Sequence, residues 1–475
     1  MSTMRKSLLL ASLLTFGLNA AHAADLRDAW LAAQQQHPDM AAAAATRGAA
    51  DARRLQASRL WNPTVAAQAA AGAMGSRTSA QGAAFSMPGA PRTSDVGFDT
   101  SVDSGPGARV GIEARMPLYS PERSAQERQL LLSADLAEMQ ATAQQQQLML
   151  QTTRQYLAAV LAQQQYTLLL GQQKLTDQAL IEAKDRFTIG DTPITDVREA
   201  QAQAQGNAAQ VQSAQVDMQI ARQALAQTTG WNPVQMPPLQ LPAAPNDEAT
   251  TTHQNAADAV LAPLAHWLDL SARDNIQLRL LSQQVALAEQ EASKANRANS
   301  MKVDLVAQAG ADHLSGSGRF GSARNASGQY MVGVQVQIPL YTGGQVDARL
   351  RELLRLQDKA AADRDSAQFT ITQQVRATWL KLQASAGRTQ ALTAAYRAAE
   401  ERLSATQLGR QVGDRTTLEL LQAQNDASRA QANILEHHAR IAEQRLQLMA
   451  LTGQLDEAAL RVATDPARLL EAPAS

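Results

Sequence analysis

The chain has 475 residues, with Lys+Arg 43 against Asp+Glu 44 and an aromatic content of only 4%. So few bulky side chains cannot fill a wide globular core, and Ala- and Gln-rich stretches such as 41–45 and 144–147 favour long helices packed through small side chains. A formal charge of -1 leaves no cationic excess for nucleic acid, and the absence of cysteine excludes disulfides, thiolate nucleophiles, zinc-thiolate sites and cysteine-linked lipid anchors.

Arg5 and Lys6 precede an apolar run over 8–18, and Ala21-His22-Ala23 follows with the small-x-small pattern of a cleavage site, so residues 1–23 read as an export signal. As a membrane anchor the run falls short of the ~20 residues that a spanning helix needs. No later stretch of ~18 apolar residues follows; an exported chain of this kind that spans a membrane must do so as β-strands.

The sequence repeats itself. Pro117-Leu118-Tyr119 recurs as Pro339-Leu340-Tyr341, Gly190-Asp191 as Gly413-Asp414, and Thr229-Gly230 as Thr452-Gly453, at a nearly constant offset of about 223 positions. Two copies of one unit are expected, 24–230 and 256–453. A connector over 231–255 joins them, denied regular helix by Pro233, Pro237, Pro238, Pro242 and Pro245, and a tail over 454–475 follows.

Each copy has the order helix, strand, loop, strand, long helix, turn, helix. The first has helices at 25–59, 121–187 and 194–230 with a β-hairpin at about 61–118; the second has helices at 266–299, 344–409 and 416–452 with a hairpin at about 301–340. The run 121–187 would extend ~100 Å at about 1.5 Å per residue, and the two shorter helices together nearly match it, which suggests end-to-end stacking beside it. Ala-rich faces on several sides suit a multi-helix wall, with a simple coiled-coil rod as the other reading.

The strand patterns have a period of two. Tyr330, Val332, Val334, Val336 and Ile338 share a face opposite Gln329, Met331, Gly333, Gln335 and Gln337. Likewise Val110, Ile112, Ala114 and Met116 oppose Arg109, Gly111, Glu113 and Arg115, and Val303, Leu305, Ala307 and Ala309 oppose Lys302, Asp304, Val306 and Gln308; the first strand, 64–72, alternates more weakly. Strands of ~9 to 11 residues joined by Gly- and Ser-rich loops at 73–107 and 313–328 match an outer-membrane barrel, while a soluble sandwich with one wet face is the alternative. Four strands cannot close a barrel in lipid, where the smallest need about eight, so the membrane reading requires an oligomer.

The stretch Arg186-Phe187-Thr188-Ile189-Gly190-Asp191-Thr192-Pro193-Ile194-Thr195-Asp196-Val197 and its counterpart Gln411-Val412-Gly413-Asp414-Arg415-Thr416-Thr417-Leu418-Glu419-Leu420-Leu421 resemble the two helix-turn-helix tips of the TolC family. Pro339-Leu340-Tyr341-Thr342-Gly343-Gly344 resembles that family's return from the second hairpin into the helices. The resemblance covers nearly the whole chain beyond the signal. It implies an α+β membrane protein built from a duplicated helix-strand-strand-helix-helix unit. Three chains would form a 12-stranded outer-membrane β-barrel continued by a 12-helix periplasmic α-barrel. Its members are exit ducts for type I protein secretion and tripartite drug efflux, acting with a periplasmic adaptor and an inner-membrane ABC or proton-driven transporter.

The same resemblance assigns residues. Asp196 and Arg415 correspond to a charged link that holds the entrance closed, with Thr195 as a neighbouring acceptor; Arg410 stands where the family has an aromatic residue and is available to pair with Asp196. Glu419 occupies the first of two acidic entrance positions and Gln422 the second, so one acidic ring is missing. Three Glu419 side chains around an axis would concentrate cations and raise one another's pKa values. Gly190-Asp191 and Gly413-Asp414 form the tight tip turns offered to an adaptor hairpin.

Catalytic readings find no support in the sequence. The histidines His22, His37, His253, His266, His313, His437 and His438 lack metal-ligand spacing, the adjacent pair pointing about 100° apart on a helix. There is no P-loop and no H-E-x-x-H, so neither enzyme activity nor a cofactor is expected. A secreted coiled-coil scaffold or adhesin whose strands form a soluble cap is the reading set against an export duct.

Overall fold

The computed structural model describes residues 25–464 apart from 87, 90, 235, 237, 238, 240–260 and 320. The expected signal, His253, most of the connector and the end of the tail lie outside the described residues. The elements are α1 (Leu26–Gln36), α2 (Pro38–Ser58), β1 (Thr64–Phe85), β2 (Thr93–Tyr119), α3 (Pro121–Thr188) and α4 (Ile194–Thr229). The second copy follows as α5 (Leu264–Asp274), α6 (Ile276–Asn296), β3 (Lys302–Gly318), β4 (Gly321–Gln337), α7 (Gln345–Gln411), α8 (Thr417–Leu451) and α9 (Glu457–Thr464).

The opening helix expected in each copy is two helices. Pro38 forces the residue before it out of the α region, and His37 is extended at φ -73 and ψ 132. In the second copy Asn275 takes φ -60 and ψ 120. Its side chain accepts from the Leu278 N–H at 3.0 Å, starting α6, and donates to the Leu451 carbonyl at 2.8 Å. Without a proline to mark it, that second break was hidden in the sequence.

The chain divides into two compact units. One comprises residues 47–138 and 281–364 and holds the sheet, whose order is β1-β2-β3-β4 with every neighbour antiparallel. The strands have 22, 27, 17 and 17 residues, longer than the alternation alone suggested. Residues 73–107 and 313–328, expected as loops, contain paired strand: Gly72 faces Gly107, Leu314 faces Asn325 and Ser315 faces Arg324. Small residues there erase the hydrophobic period without interrupting backbone pairing. At the helix end of the sheet Lys302 pairs with Glu122 at 2.6 Å, and Arg54 on α2 pairs with Asp135 at 3.0 Å and Glu138 at 2.6 Å on α3, over the buried Ala50, Ala134 and Ala137.

The other unit holds residues 25–46, 139–280 and 365–464 among those described. One core gathers Leu26 and Trp30 of α1, Leu148 and Tyr156 of α3, Leu225 of α4, Leu446 of α8 and Leu460 of α9. A second gathers Trp267, Leu278, Val375, Leu382, Ile441 and Leu448, and the indoles of Trp267 and Trp379 both donate to the Ala262 carbonyl, at 3.1 and 3.0 Å. The tail contributes α9 to the first core: Leu460 is buried, worth roughly 1.5 to 3 kcal/mol, and Arg27 pairs with Glu457 at 2.9 Å. Among the described residues no helix is long and apolar enough to cross a membrane.

Candidate functional site

Two of the helix-to-helix turns in the helical unit, α3 to α4 and α7 to α8, join long helices and have backbones built alike. In the first, the Gly190 N–H donates to the Phe187 carbonyl at 3.0 Å and the Asp191 N–H to Arg186 at 2.9 Å; in the second, Gly413 donates to Arg410 at 3.1 Å and Asp414 to Gly409 at 2.8 Å. This pairing is a Schellman motif, and it places the glycine in the left-handed region, φ 80 for Gly190 and φ 82 for Gly413. A Cβ at either glycine would meet nothing within 4 Å, so the requirement is purely conformational. Ile189 and Val412 beside them are 80% and 75% exposed, an apolar surface at each turn.

The helices that leave the turns begin differently. Thr416 caps α8 through a reciprocal box: the Glu419 N–H donates to Thr416 Oγ1 at 3.2 Å, and the Thr416 N–H donates to Glu419 Oε2 at 2.8 Å. Pro193 holds the corresponding position on α4 and offers no side-chain cap. Asp196 and Glu419 are thus the third residues of the two helices. Asp196 accepts from the Thr195 hydroxyl at 3.3 Å and has no ion pair among the described residues, whereas Glu419 also binds Arg415 Nη1 at 3.0 Å. These donors hold the Glu419 carboxyl below the usual carboxylate range, the backbone hydrogen bond from Thr416 first and the Arg415 guanidinium next. Within one chain that is the reverse of the upward shift expected from three carboxylates in a ring. Gln422, one turn on, is exposed.

Within the chain Arg410 is not paired with Asp196. It binds Glu182 on α3, whose other oxygen is held by Arg186 at 3.0 Å, and Arg186 reaches Asp191 at 4.0 Å. The end of α7 is therefore tied to the end of α3 through one carboxylate between two guanidiniums. Glu182 was missed by sequence reasoning, although its spacing of four from Arg186 on a helix was a readable signal. Asp196 and Arg415 are not joined within the chain.

In the sheet, register aligns one apolar face across all four strands. Ala67, Ile112, Ala309 and Tyr330 form one rung, Val65, Ala114, Ala307 and Val332 the next, and Met116, Leu305 and Val334 continue it. Val110, Ile112, Val332 and Val334 are all exposed there. The other face carries Glu113, Arg115, Asp304 and Gln308, with Arg109 bound to Asp312 across β2 and β3. β1 and β4 each pair on one side only.

The model of the family described as outer membrane efflux protein matches residues 31–231 and 267–454, one match over each copy. The chain belongs to this family. Membership places it in the bacterial outer membrane. The chain is 26% identical to the outer membrane protein TolC of Vibrio cholerae over 284 residues, 58% of this chain and 61% of that protein. It is 27% identical to the proteases secretion protein PrtF of Dickeya chrysanthemi over 303 residues, 61% of this chain and 60% of that one. The matched region thus spans about three fifths of the length of these relatives. Among solved structures, the outer membrane protein VceC of Vibrio cholerae superposes with a TM-score of 0.67 at 17% identity, covering 91% of this chain and 97% of that one. The efflux-family chain shares their fold, mostly helical with one sheet.

Proposed function

We propose that this chain is one third of an outer-membrane exit duct, serving type I protein secretion, efflux of small molecules, or both. A trimer would close three four-stranded sheets into a 12-stranded barrel and continue it with 12 helices into the periplasm. A periplasmic adaptor would engage the exposed turns at Gly190-Asp191 and Gly413-Asp414, flanked by Ile189 and Val412, and an inner-membrane ABC or proton-driven transporter would supply the energy. Nothing in this role breaks a bond in the cargo, and no cofactor takes part.

The observation that carries the reading is the sheet: an apolar face exposed across four strands, a polar face behind it and two unpaired edges. In hydrocarbon every unpaired backbone group costs several kcal/mol, so β1 and β4 must find partners in sibling chains. Native mass spectrometry of the detergent-extracted protein is expected to give three copies, and planar bilayers to show discrete conductance steps. Recovery as a soluble monomer without conductance would remove the proposal.

For the gate, Asp196, free of an ion pair in its own chain, and Arg415 are proposed to meet between neighbouring chains, with Thr195 orienting the carboxylate. Arg410 takes over an inner link through Glu182 rather than Asp196. Partly exposed pairs of this kind contribute roughly 0.2 to 1 kcal/mol each, enough in three copies to bias a closed state that an adaptor reopens. Asp196→Ala and Arg415→Ala are expected to raise single-channel conductance; no change in either would remove this assignment. Glu419, kept anionic by its local donors, is proposed to line the entrance, with Gln422 leaving the second ring uncharged.

A further inference from the structure

The apolar face of the sheet ends in a sharp change of charge. By alternation along each strand, the residues of that face over 65–75 on β1, 106–116 on β2, 303–311 on β3 and 326–336 on β4 include no charged side chain, and each stretch approaches the run of about 9 to 11 residues that crosses hydrocarbon. The acids at this level, Glu113, Asp304 and Asp312, lie on the opposite face. On three strands the first ionisable group to follow on the apolar side is basic or neutral-to-basic, Arg77 on β1, His313 on β3 and Arg324 on β4, while on β2 it is the acid Asp99.

His313 pairs with Ala326, and Arg324 pairs with Ser315, so these two are diagonal neighbours on adjacent strands. All three side chains are exposed, and none makes an ion pair among the described residues. Arg319 follows in the β3–β4 turn, its N–H donating to Ser101 Oγ at 2.8 Å, which seats that turn against β2. Two acids stand near Arg77 on β2: Asp99, opposite Ser79 and one rung beyond it, and Asp103, in the bulge against Gly75 one rung before it. Counted from the helix end of each strand, Arg77 and Arg324 both stand about twelve residues past the first apolar-face residue, Val65 and Val336. In a barrel closed by sibling copies, β1 of one copy would lie beside β4 of the next, which would bring Arg77 and Arg324 to each subunit boundary.

We infer that this rim binds the phosphate groups of an anionic glycolipid in the outer leaflet, at the seam between copies. Cations placed where an apolar band ends meet headgroup phosphates, and the attraction falls off within a Debye length. This inference rests on the duct reading, since only insertion brings the rim to a headgroup layer.

The test uses the full-length protein extracted in detergent and titrated, by native mass spectrometry, with a bis-phosphorylated glycolipid of the lipid A type and with its dephosphorylated form. The phosphorylated lipid is expected to bind more tightly. Arg77→Gln with Arg324→Gln should weaken it by roughly fivefold per arginine and leave the dephosphorylated form unaffected. Equal binding of the two lipids, or no loss in the double variant, overturns the rim; so does displacement by millimolar inorganic phosphate, which would make it a free-anion site. Bilayer conductance separates the two failures. A protein that conducts without phosphate preference refutes only the rim, and one that neither assembles nor conducts refutes the duct.

Discussion

The two helical turns share a backbone and differ in chemistry. Both end a long helix with a left-handed glycine and the same two hydrogen bonds, yet only the second starts its outgoing helix with a capping box, and that box sequesters the carboxylate which its counterpart leaves available. Turn geometry is fixed by one glycine, whose conformational demand no neighbouring residue alters. The side chains three residues into the next helix were free to diverge, and they did so at the positions where a gate and an entrance ring are proposed.

The shared part of the comparison should respond most strongly. Gly190→Val and Gly413→Val each place a β-branched residue at positive φ, and each is expected to cost about 1 to 2 kcal/mol of local stability, read as equal losses of hydrogen-exchange protection in the two turns. A large effect at one turn and none at the other would break the equivalence. Capping should separate them. Thr416→Ala is expected to lower protection at the start of α8 by about 1 kcal/mol, and Pro193→Thr to gain up to that amount at the start of α4, measured on the same amides.

Acid should sharpen the difference further. Because the folded-state pKa of Glu419 is depressed, its contribution to the second turn is complete above the ordinary carboxylate value and is lost as pH falls through the lowered one. Hydrogen exchange across this acid range should show the start of α8 loosening while α4, with no equivalent box, changes less. The smallest structural effect belongs to Glu419→Gln, since glutamine also completes a capping box. Helix protection at the start of α8 should fall no further than it does in acid, while reversal potentials in a salt gradient shift away from cation preference; an unshifted potential would leave Glu419 without an entrance role.

Elsewhere in the helical unit His437 is buried on α8, its Nε2 within 3.2 Å of the Ser385 carbonyl and 3.1 Å of the Thr389 hydroxyl on α7. Burial pushes its pKa down, with the Arg388 and Arg440 charges adding to the effect. The unfolded chain then takes up a proton first, so stability is expected to fall as pH drops below the ordinary histidine value, and His437→Gln should flatten that slope in denaturant titrations.

Much of the architecture was legible because it is written in local rules. Gly190 and Gly413 announced the turns, and the alternation from Tyr330 to Ile338 announced a strand with one apolar face. The breaks at His37 and Asn275 were harder, since the second depends on a side chain reaching the Leu451 carbonyl far along the chain. The extent of the strands was hidden as well, because Gly, Ala and Ser carry little hydrophobic contrast while their backbones pair as well as any others.

Composition, duplication, turn glycines and the period of the strands were determined by the sequence alone, since each reflects the conformational preference or hydropathy of neighbouring residues. Which charges meet between helices was decided only by tertiary structure. Glu182 and Arg410 lie on different long helices, and no spacing along the chain reveals that their ends converge, whereas the pairing of Arg415 with Glu419 is local, at a spacing of four. Ion pairing depends on distances of a few ångströms between side chains, and those are set by how the helices pack.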